Sequence, residues 1–422
     1  MFMSKINPMN DAKPTRMVMT SCLWLTLFLT LSLTPLLTAC SDDETPAPPQ
    51  PTPTNNGAVY IEDEDKLATI YSLRDLEGDK GRLYEMTYTA DYKLDEALDF
   101  QITSTRTLQQ FVFMHLFDRQ SPKTKSLKLT YDAGCSAFAC PDKNTGHYLM
   151  GRNFDFGHFR TGTGERIMIP AIVVHTAPKG GKKSVSFVDG QFIGYESGFY
   201  TAEGNDLSML VALPYLLLDG INEDGFAISV LKLDGNHTWQ KDSGKKNIFT
   251  TVAMRMLLDR ASTVKQAIEM LKEYNMIMDE FKASYHFMMA DATGDYAIVE
   301  YTNPVVADDV YPETMEVLQG HDTLRYVTNF YVSPTMANTE HGFNQSDHGK
   351  QRYDIMKQSL KEYSYRPTFE QGMELMTKVA QGPESQLSTG FTQWSEIYDL
   401  TKKHVTMSIL REWGKRFEFG IE

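Results

Sequence analysis

The sequence predicts an α+β fold in four layers, two stacked antiparallel sheets enclosed between layers of helices. Three observations carry that expectation. Strand-like segments recur between turn residues at 148–154, 171–175, 184–188, 207–213, 226–233, 285–291 and 296–301. Helical pairs are interleaved with them at 249–258 with 264–274, and at 352–362 with 368–379. The tail returns to strands at 394–399, 404–410 and 416–419.

Each element has a local reason. Asn222-Glu223-Asp224-Gly225 and Asp291-Ala292-Thr293-Gly294-Asp295 are turns of the kind that join antiparallel neighbours. Upstream, residues 61–117 read as helical, with Leu67, Ile70, Leu73 and Leu76 at spacing three and a second apolar stripe through Leu108, Phe111, Phe113, Leu116 and Phe117. Ser121-Pro122-Lys123 marks a loop before a strand-like run at 127–131. The methionines of the middle helices, Met254, Met256, Met270, Met276 and Met278, read as core filling.

Composition narrows the function. The 422 residues are 41% hydrophobic and 11% aromatic, enough for a large core, and the formal net charge of -14 argues against a nucleic-acid partner. No His or Cys pair stands at helical ligand spacing with a third ligand near it, so neither a metal nor any other cofactor is expected.

The first residues read as an address. Lys5, Lys13 and Arg16 precede an apolar stretch over 18–37, and Leu37-Thr38-Ala39-Cys40 follows. This ending resembles a bacterial lipoprotein signal, which implies removal of 1–39, lipidation of Cys40 and membrane attachment at the bacterial cell envelope, periplasmic or surface-exposed. A plain transmembrane anchor is the competing reading. Residues 40–56, with the run TPAPPQPTPTNN, form a Pro-rich tether that cannot build a core.

Of the four cysteines, Cys22 falls in the leader and Cys40 takes the lipid, which leaves Cys135 and Cys140. A disulfide between them would span a short strand-like run with strained geometry, so a reactive thiol is favoured at Cys135. Cys140 reads as a buried thiol. The thiol's surroundings suit a nucleophile. Arg152 would favour the thiolate of a group whose free pKa is about 8.5. A cysteine that begins its chain also carries an α-amine of pKa about 8, able to take the thiol proton and return it to a leaving amine. Asp155 would hold that amine as an ammonium. No catalytic histidine is then needed, and His147 and His158 read as exposed or turn residues.

Gly134-Cys135, followed by Gly151-Arg152-Asn153-Phe154-Asp155, resembles the choloylglycine hydrolase group of linear amide C-N hydrolases. That group includes bile salt hydrolases, penicillin V acylases, fungal acyl transferases, acid ceramidase and the N-acylethanolamine amidase. The resemblance implies an αββα sandwich of the N-terminal-nucleophile type, with a catalytic domain over 135–422 and a helical pro-segment, or small subunit, over 57–134. It implies self-cleavage between Gly134 and Cys135, where the missing side chain and unusual backbone angles of Gly134 would ease attack on its carbonyl. The cleaved subunits would remain associated, with a small N-acyl amide as the substrate.

Further matches give Asn329, in Val327-Thr328-Asn329-Phe330, the role of oxyanion donor, and let Arg352 support the thiolate or the main chain beside it. Asn222 to Ile228, His286 to Glu300 and Trp394 to Leu400 match as scaffold. The family's Asn after Gly-Leu is Lys232 here; a backbone N–H there would preserve an oxyanion hole, whereas a side-chain role would put bile salt specificity in doubt. Acyl transfer to an amine, a non-catalytic binding lipoprotein on a degenerate fold, and a papain-like hydrolase with a histidine partner are the other readings.

Overall fold

A computed structural model describes residues 57–421 apart from 79, 121–132, 161–162, 236, 279–282, 306–310, 313 and 383–389. The leader, Cys40, the tether and the run at 127–131 lie outside the described residues.

Two sheets form the middle of the molecule. The larger has nine strands, in spatial order Arg74–Asp75, Leu83–Tyr88, Ala171–Thr176, Ser184–Asp189, Leu217–Asn222, Ala227–Asp234, Ala283–Ala290, Tyr296–Thr302 and Thr314–Leu318. The smaller has six: Tyr326–Val327, Ala133–Pro141, Tyr148–Phe156, Thr392–Asp399, His404–Ile409 and Phe417–Gly420. Strands Ala133–Pro141 and Ala227–Asp234 face each other across the two sheets. Helices Thr250–Arg260 and Val264–Lys272 cover the outer face of the larger sheet, and Lys350–Glu362 and Phe369–Lys378 cover that of the smaller. The expected four-layer α+β sandwich is therefore the fold.

Several elements differ from expectation. The 207–213 run is a 3-10 helix, Ser208–Tyr215, with every residue buried; a fully buried apolar run lacks the alternation that separates strand from helix, and Pro214 would deprive a sheet of a donor. The strand instead follows at Leu217–Asn222. Segment 57–120 is not purely helical. Helices Glu64–Tyr71, Leu94–Phe100 and Thr105–Phe111 form, but Leu83–Tyr88 is a strand that pairs with Ala171–Thr176 over six residues. That pairing is parallel, the one exception to an otherwise antiparallel large sheet, and the long crossover it requires is supplied by everything between the two strands. A separate parallel pair, Lys246–Phe249 with Tyr274–Ile277, also went unanticipated.

Among the described residues, no helix is long and apolar enough to cross a membrane.

Candidate active site

Strand alternation sorts the residues of Ala133–Pro141 onto two faces. Cys135, Ala137 and Ala139 enter the core between the sheets, whereas Phe138 and Cys140 enter the core beneath the helices of the smaller sheet. The odd spacing thus separates the two free cysteines, and burial pushes the Cys140 thiol up to about 12. Cys140 is inert by this chemistry.

Cys135 is 1% exposed. Its neighbour strand Tyr148–Phe156 runs antiparallel, with Phe154 opposite Cys135, Asp155 opposite Gly134 and Arg152 opposite Ala137. Arg152 therefore lies on the Cys135 face, where the thiol and the guanidinium interact electrostatically. Its other contacts hold it still: Nε donates to Asp219 Oδ2 at 3.1 Å, Nη1 to the Asn153 carbonyl at 2.9 Å and Nη2 to the Val230 carbonyl at 2.8 Å. Burial alone would lower the Arg152 pKa, but the Cys135 and Asp219 charges outweigh it and raise it.

Asp155 points to the opposite face. Oδ2 accepts from Gln381 Nε2 at 2.7 Å and Oδ1 from the Thr392 hydroxyl at 2.5 Å, and the Arg352 guanidinium lies 3.6 Å away. Burial raises the Asp155 pKa despite these partners.

The short strand Tyr326–Val327 pairs with Phe138 and Ala137, and continuing that register brings Asn329 beside Cys135. Asn329 Oδ1 accepts the Cys135 N–H at 2.7 Å and an Arg352 Nη2 donor at 2.7 Å, while its Nδ2 donates to the Lys232 carbonyl at 2.8 Å. Two donors on one atom and an acceptor on the other fix the amide's orientation.

Arg352 sits in the first turn of Lys350–Glu362, behind Gly349, whose φ of 78° and close approach to Thr328 exclude a side chain. Arg352 Nη1 donates to the Cys135 carbonyl and to Ser136 Oγ. It grips main chain, one of the two roles expected of it. Burial lowers its pKa, against the raising pull of Asp155 and Cys135.

Lys232 turns its ammonium to Asp234, 3.2 Å away, and offers only its carbonyl to Asn329. Gly134 differs from expectation in its backbone alone: it lies in an ordinary strand, with no left-handed φ. What demands glycine is space, because a Cβ there would stand 2.0 Å from Gln381 Nε2. His158 is buried rather than exposed, bonded to Asp189 at 2.8 Å, and His147 is part-buried against Asp399 at 2.9 Å. Neither histidine is among the hydrogen-bond partners of Cys135.

The structure thus brings Cys135, Gly134, Arg152, Asp155, Asn329, Arg352 and the Lys232 carbonyl together, and adds residues the sequence did not single out. Gln381 and Thr392 hold Asp155; Asp219 holds Arg152; Tyr398 and Glu396 stand behind Asp219. Glu396 and Tyr398 lie in the strand Thr392–Asp399, which is buried throughout and which the sequence marked only as scaffold. A second buried pair sets the Asn329 segment. His286 meets the Thr328 carbonyl at 2.8 Å and Glu300 at 3.0 Å, and Glu300 accepts the Val332 and Ser333 N–H groups.

The site is thus a buried thiol beside a guanidinium, on a strand of an αββα sandwich. The family profile described as linear amide C-N hydrolases, choloylglycine hydrolase family, matches residues 135–361, beginning on Cys135 itself, and the chain belongs to that family. It is a linear amide C-N hydrolase. Similar solved structures include two variants of the conjugated bile acid hydrolase from Clostridium perfringens. They are 13% and 14% identical, each match covering 68% of this chain and 92% of that one, with TM-scores of 0.42 and 0.44. Penicillin V acylase from Agrobacterium tumefaciens is 16% identical over 65% of this chain and 83% of its own, with a TM-score of 0.40. No curated protein sequence matches the chain.

Proposed function

We propose that the protein is made as a precursor that cleaves its own Gly134–Cys135 bond, and that the freed Cys135 hydrolyses the amide of a small N-acyl substrate through a thioester. The observation that carries this reading is the position of Cys135: an internal strand residue, 1% exposed, whose N–H and C=O are held by Asn329 and Arg352 while its thiol meets Arg152.

In maturation the sulfur attacks the Gly134 carbonyl carbon, the C–N bond breaks, and the thiol proton ends on the departing Cys135 nitrogen. Water then opens the Gly134 thioester, leaving a carboxylate on Gly134 and a free amine and thiol on Cys135. The glycine leaves room for Gln381, and Gln381 holds Asp155 opposite the bond.

In turnover the α-amine takes the thiol proton, the thiolate beside Arg152 attacks the amide carbonyl, and the ammonium returns the proton to the leaving amine. Water releases the acid from the thioester. Two donors suit the oxyanion. Asn329 has a second amide hydrogen beyond the one given to Lys232. Lys232 N–H and C=O leave the strand on one side, and that carbonyl already faces Asn329. Lys232 would then act through its backbone, its side chain being committed to Asp234. Asp155, relieved of the peptide, would hold the new ammonium. Lipid attachment at Cys40, envelope localisation and persistent association of the two chains belong to the same proposal.

Intact-mass analysis of the purified protein tests it. Two chains separating after Gly134 are expected, with a single uncleaved chain in Cys135→Ala; two chains in the alanine variant would refute self-cleavage by this sulfur. A panel of conjugated bile acids, phenoxyacetyl penicillin, N-acyl amino acids, N-acyl homoserine lactones and N-acylethanolamines, with competing amines present, identifies the substrate and separates hydrolysis from acyl transfer.

A further inference from the structure

Behind Arg152, between the sheets, lies a closed acid cluster that the catalytic scheme does not use. Asp219 comes from Leu217–Asn222, and Glu396 and Tyr398 come from Thr392–Asp399; all three are fully buried. The Tyr398 hydroxyl is 3.0 Å from Asp219 Oδ1 and 2.8 Å from Glu396 Oε2, so one phenol lies between the two carboxyl groups. Glu396 Oε1 receives no N–H or O–H donor from the described residues.

These contacts count protons. A phenol supplies one hydrogen and cannot donate to two carboxylates at once, so one of the two carboxyl groups must bring a hydrogen of its own to that contact. An ionised Glu396 with a bare oxygen would be a severely destabilising buried charge. The proton therefore resides on Glu396, while Asp219 carries the charge that meets Arg152 Nε. Burial and the Asp219 charge hold the Glu396 pKa well above the carboxylate range, in agreement with the contacts.

We propose that Glu396 is a positioning residue that stays un-ionised, pins Asp219 onto Arg152, and so limits the negative charge behind the guanidinium to one. The consequence falls on Cys135. Glu396 lies opposite Arg152 on the neighbouring strand of the smaller sheet and shares Tyr398 with Asp219 of the larger, and Cys135 lies on the other side of Arg152. With Glu396 neutral, Arg152 answers one carboxylate and retains attraction for a thiolate; with Glu396 ionised, two carboxylates would precede the thiolate and oppose its formation. This role rests on the proposed use of Arg152 to favour the thiolate, whereas the proton's location does not.

The test has two arms. Infrared spectroscopy of uncleaved Cys135→Ala protein at neutral pH is expected to show the carbonyl stretch of an un-ionised carboxylic acid that shifts when glutamate alone is carboxyl-labelled with carbon-13. Its absence overturns the proton assignment, whatever the catalytic mechanism, and needs no substitution at Glu396. The second arm follows alkylation of Cys135 by iodoacetamide against pH in the matured enzyme. Glu396→Ala is expected to slow alkylation by about tenfold near neutrality and to move the thiol titration upward, and Glu396→Gln, which keeps the shape without the ability to ionise, is expected to rescue both. A downward move of the thiol titration in Glu396→Gln would mean that Glu396 is charged in the parent. Equal titrations in all three proteins would mean that it does not act on Cys135. Either result overturns the proposal. Failure of the chain to mature would instead refute the self-cleavage reading and leave the infrared arm intact.

Discussion

Gly134 is specified by what stands opposite it. A Cβ would meet Gln381 Nε2 at 2.0 Å, and that nitrogen is the one bonded to Asp155 Oδ2. Gly134→Ala is therefore expected to displace Gln381 and slow self-cleavage by at least about tenfold, and Gly134→Ala/Gln381→Gly is expected to recover part of the loss; a gel time course of precursor and product bands measures both. A double variant no faster than the single one would mean that backbone freedom, not space, is what the glycine supplies. Such contacts mark the limit of what the chain order reveals. Cys135, Arg152 and Asp155 were legible because two adjacent strands carry them within one short motif, and Asn329 and Arg352 because short motifs accompany them. Gln381, Asp219 and Tyr398 reach the site from distant segments with no local pattern, so only folding assembles them.

The segment after Tyr326–Val327 is held from beneath by His286 and Glu300, both fully buried and drawn from neighbouring strands of the larger sheet. The His286 nitrogen facing the Thr328 carbonyl must carry hydrogen, and Glu300 accepts two backbone N–H groups besides the imidazole. This pair sets where Thr328, Asn329 and Val332 lie. In the Cys135→Ala background, His286→Ala is expected to cost about 3–5 kcal/mol in urea unfolding, since it strands a buried carboxylate. A loss within about 0.5 kcal/mol, that of an ordinary surface substitution, would contradict a clamp. Paired strands were read correctly wherever alternation and turn residues coincide, as at Ala227–Asp234 and Ala283–Ala290. The 3-10 helix Ser208–Tyr215 and the strand Leu83–Tyr88 were not, because the first is buried on all sides and the second was absorbed into a helical stripe whose Leu73 and Leu76 lie beyond the helix Glu64–Tyr71.

At the scale of the whole molecule, the described residues before Cys135 are part of the sandwich and not an appendage. Arg74–Asp75 and Leu83–Tyr88 form one edge of the nine-stranded sheet, so cleavage at Gly134 would leave the first fragment paired through Leu83–Tyr88 to Ala171–Thr176 of the second. The interior also shapes the response to pH. Glu396, raised by burial when folded, returns to a pKa of about 4.3 when unfolded. Its contribution is full below that value and is lost as pH rises toward the folded pKa, because the unfolded chain releases the proton first. Relative to Glu396, the un-ionisable Glu396→Gln should therefore gain stability as pH rises above about 4.3, by about 1.4 kcal/mol per pH unit for as long as folded Glu396 keeps its proton, measured by urea unfolding of uncleaved protein. A pH-independent difference would place a charged Glu396 in the fold.

The most direct measurement of the account follows a freshly refolded precursor and records, in the same samples, the fraction beginning with Cys135 and the rate of amide hydrolysis. Hydrolysis rising in proportion to that fraction from zero is the predicted result. Full hydrolysis by chains whose Gly134–Cys135 bond is intact would contradict it.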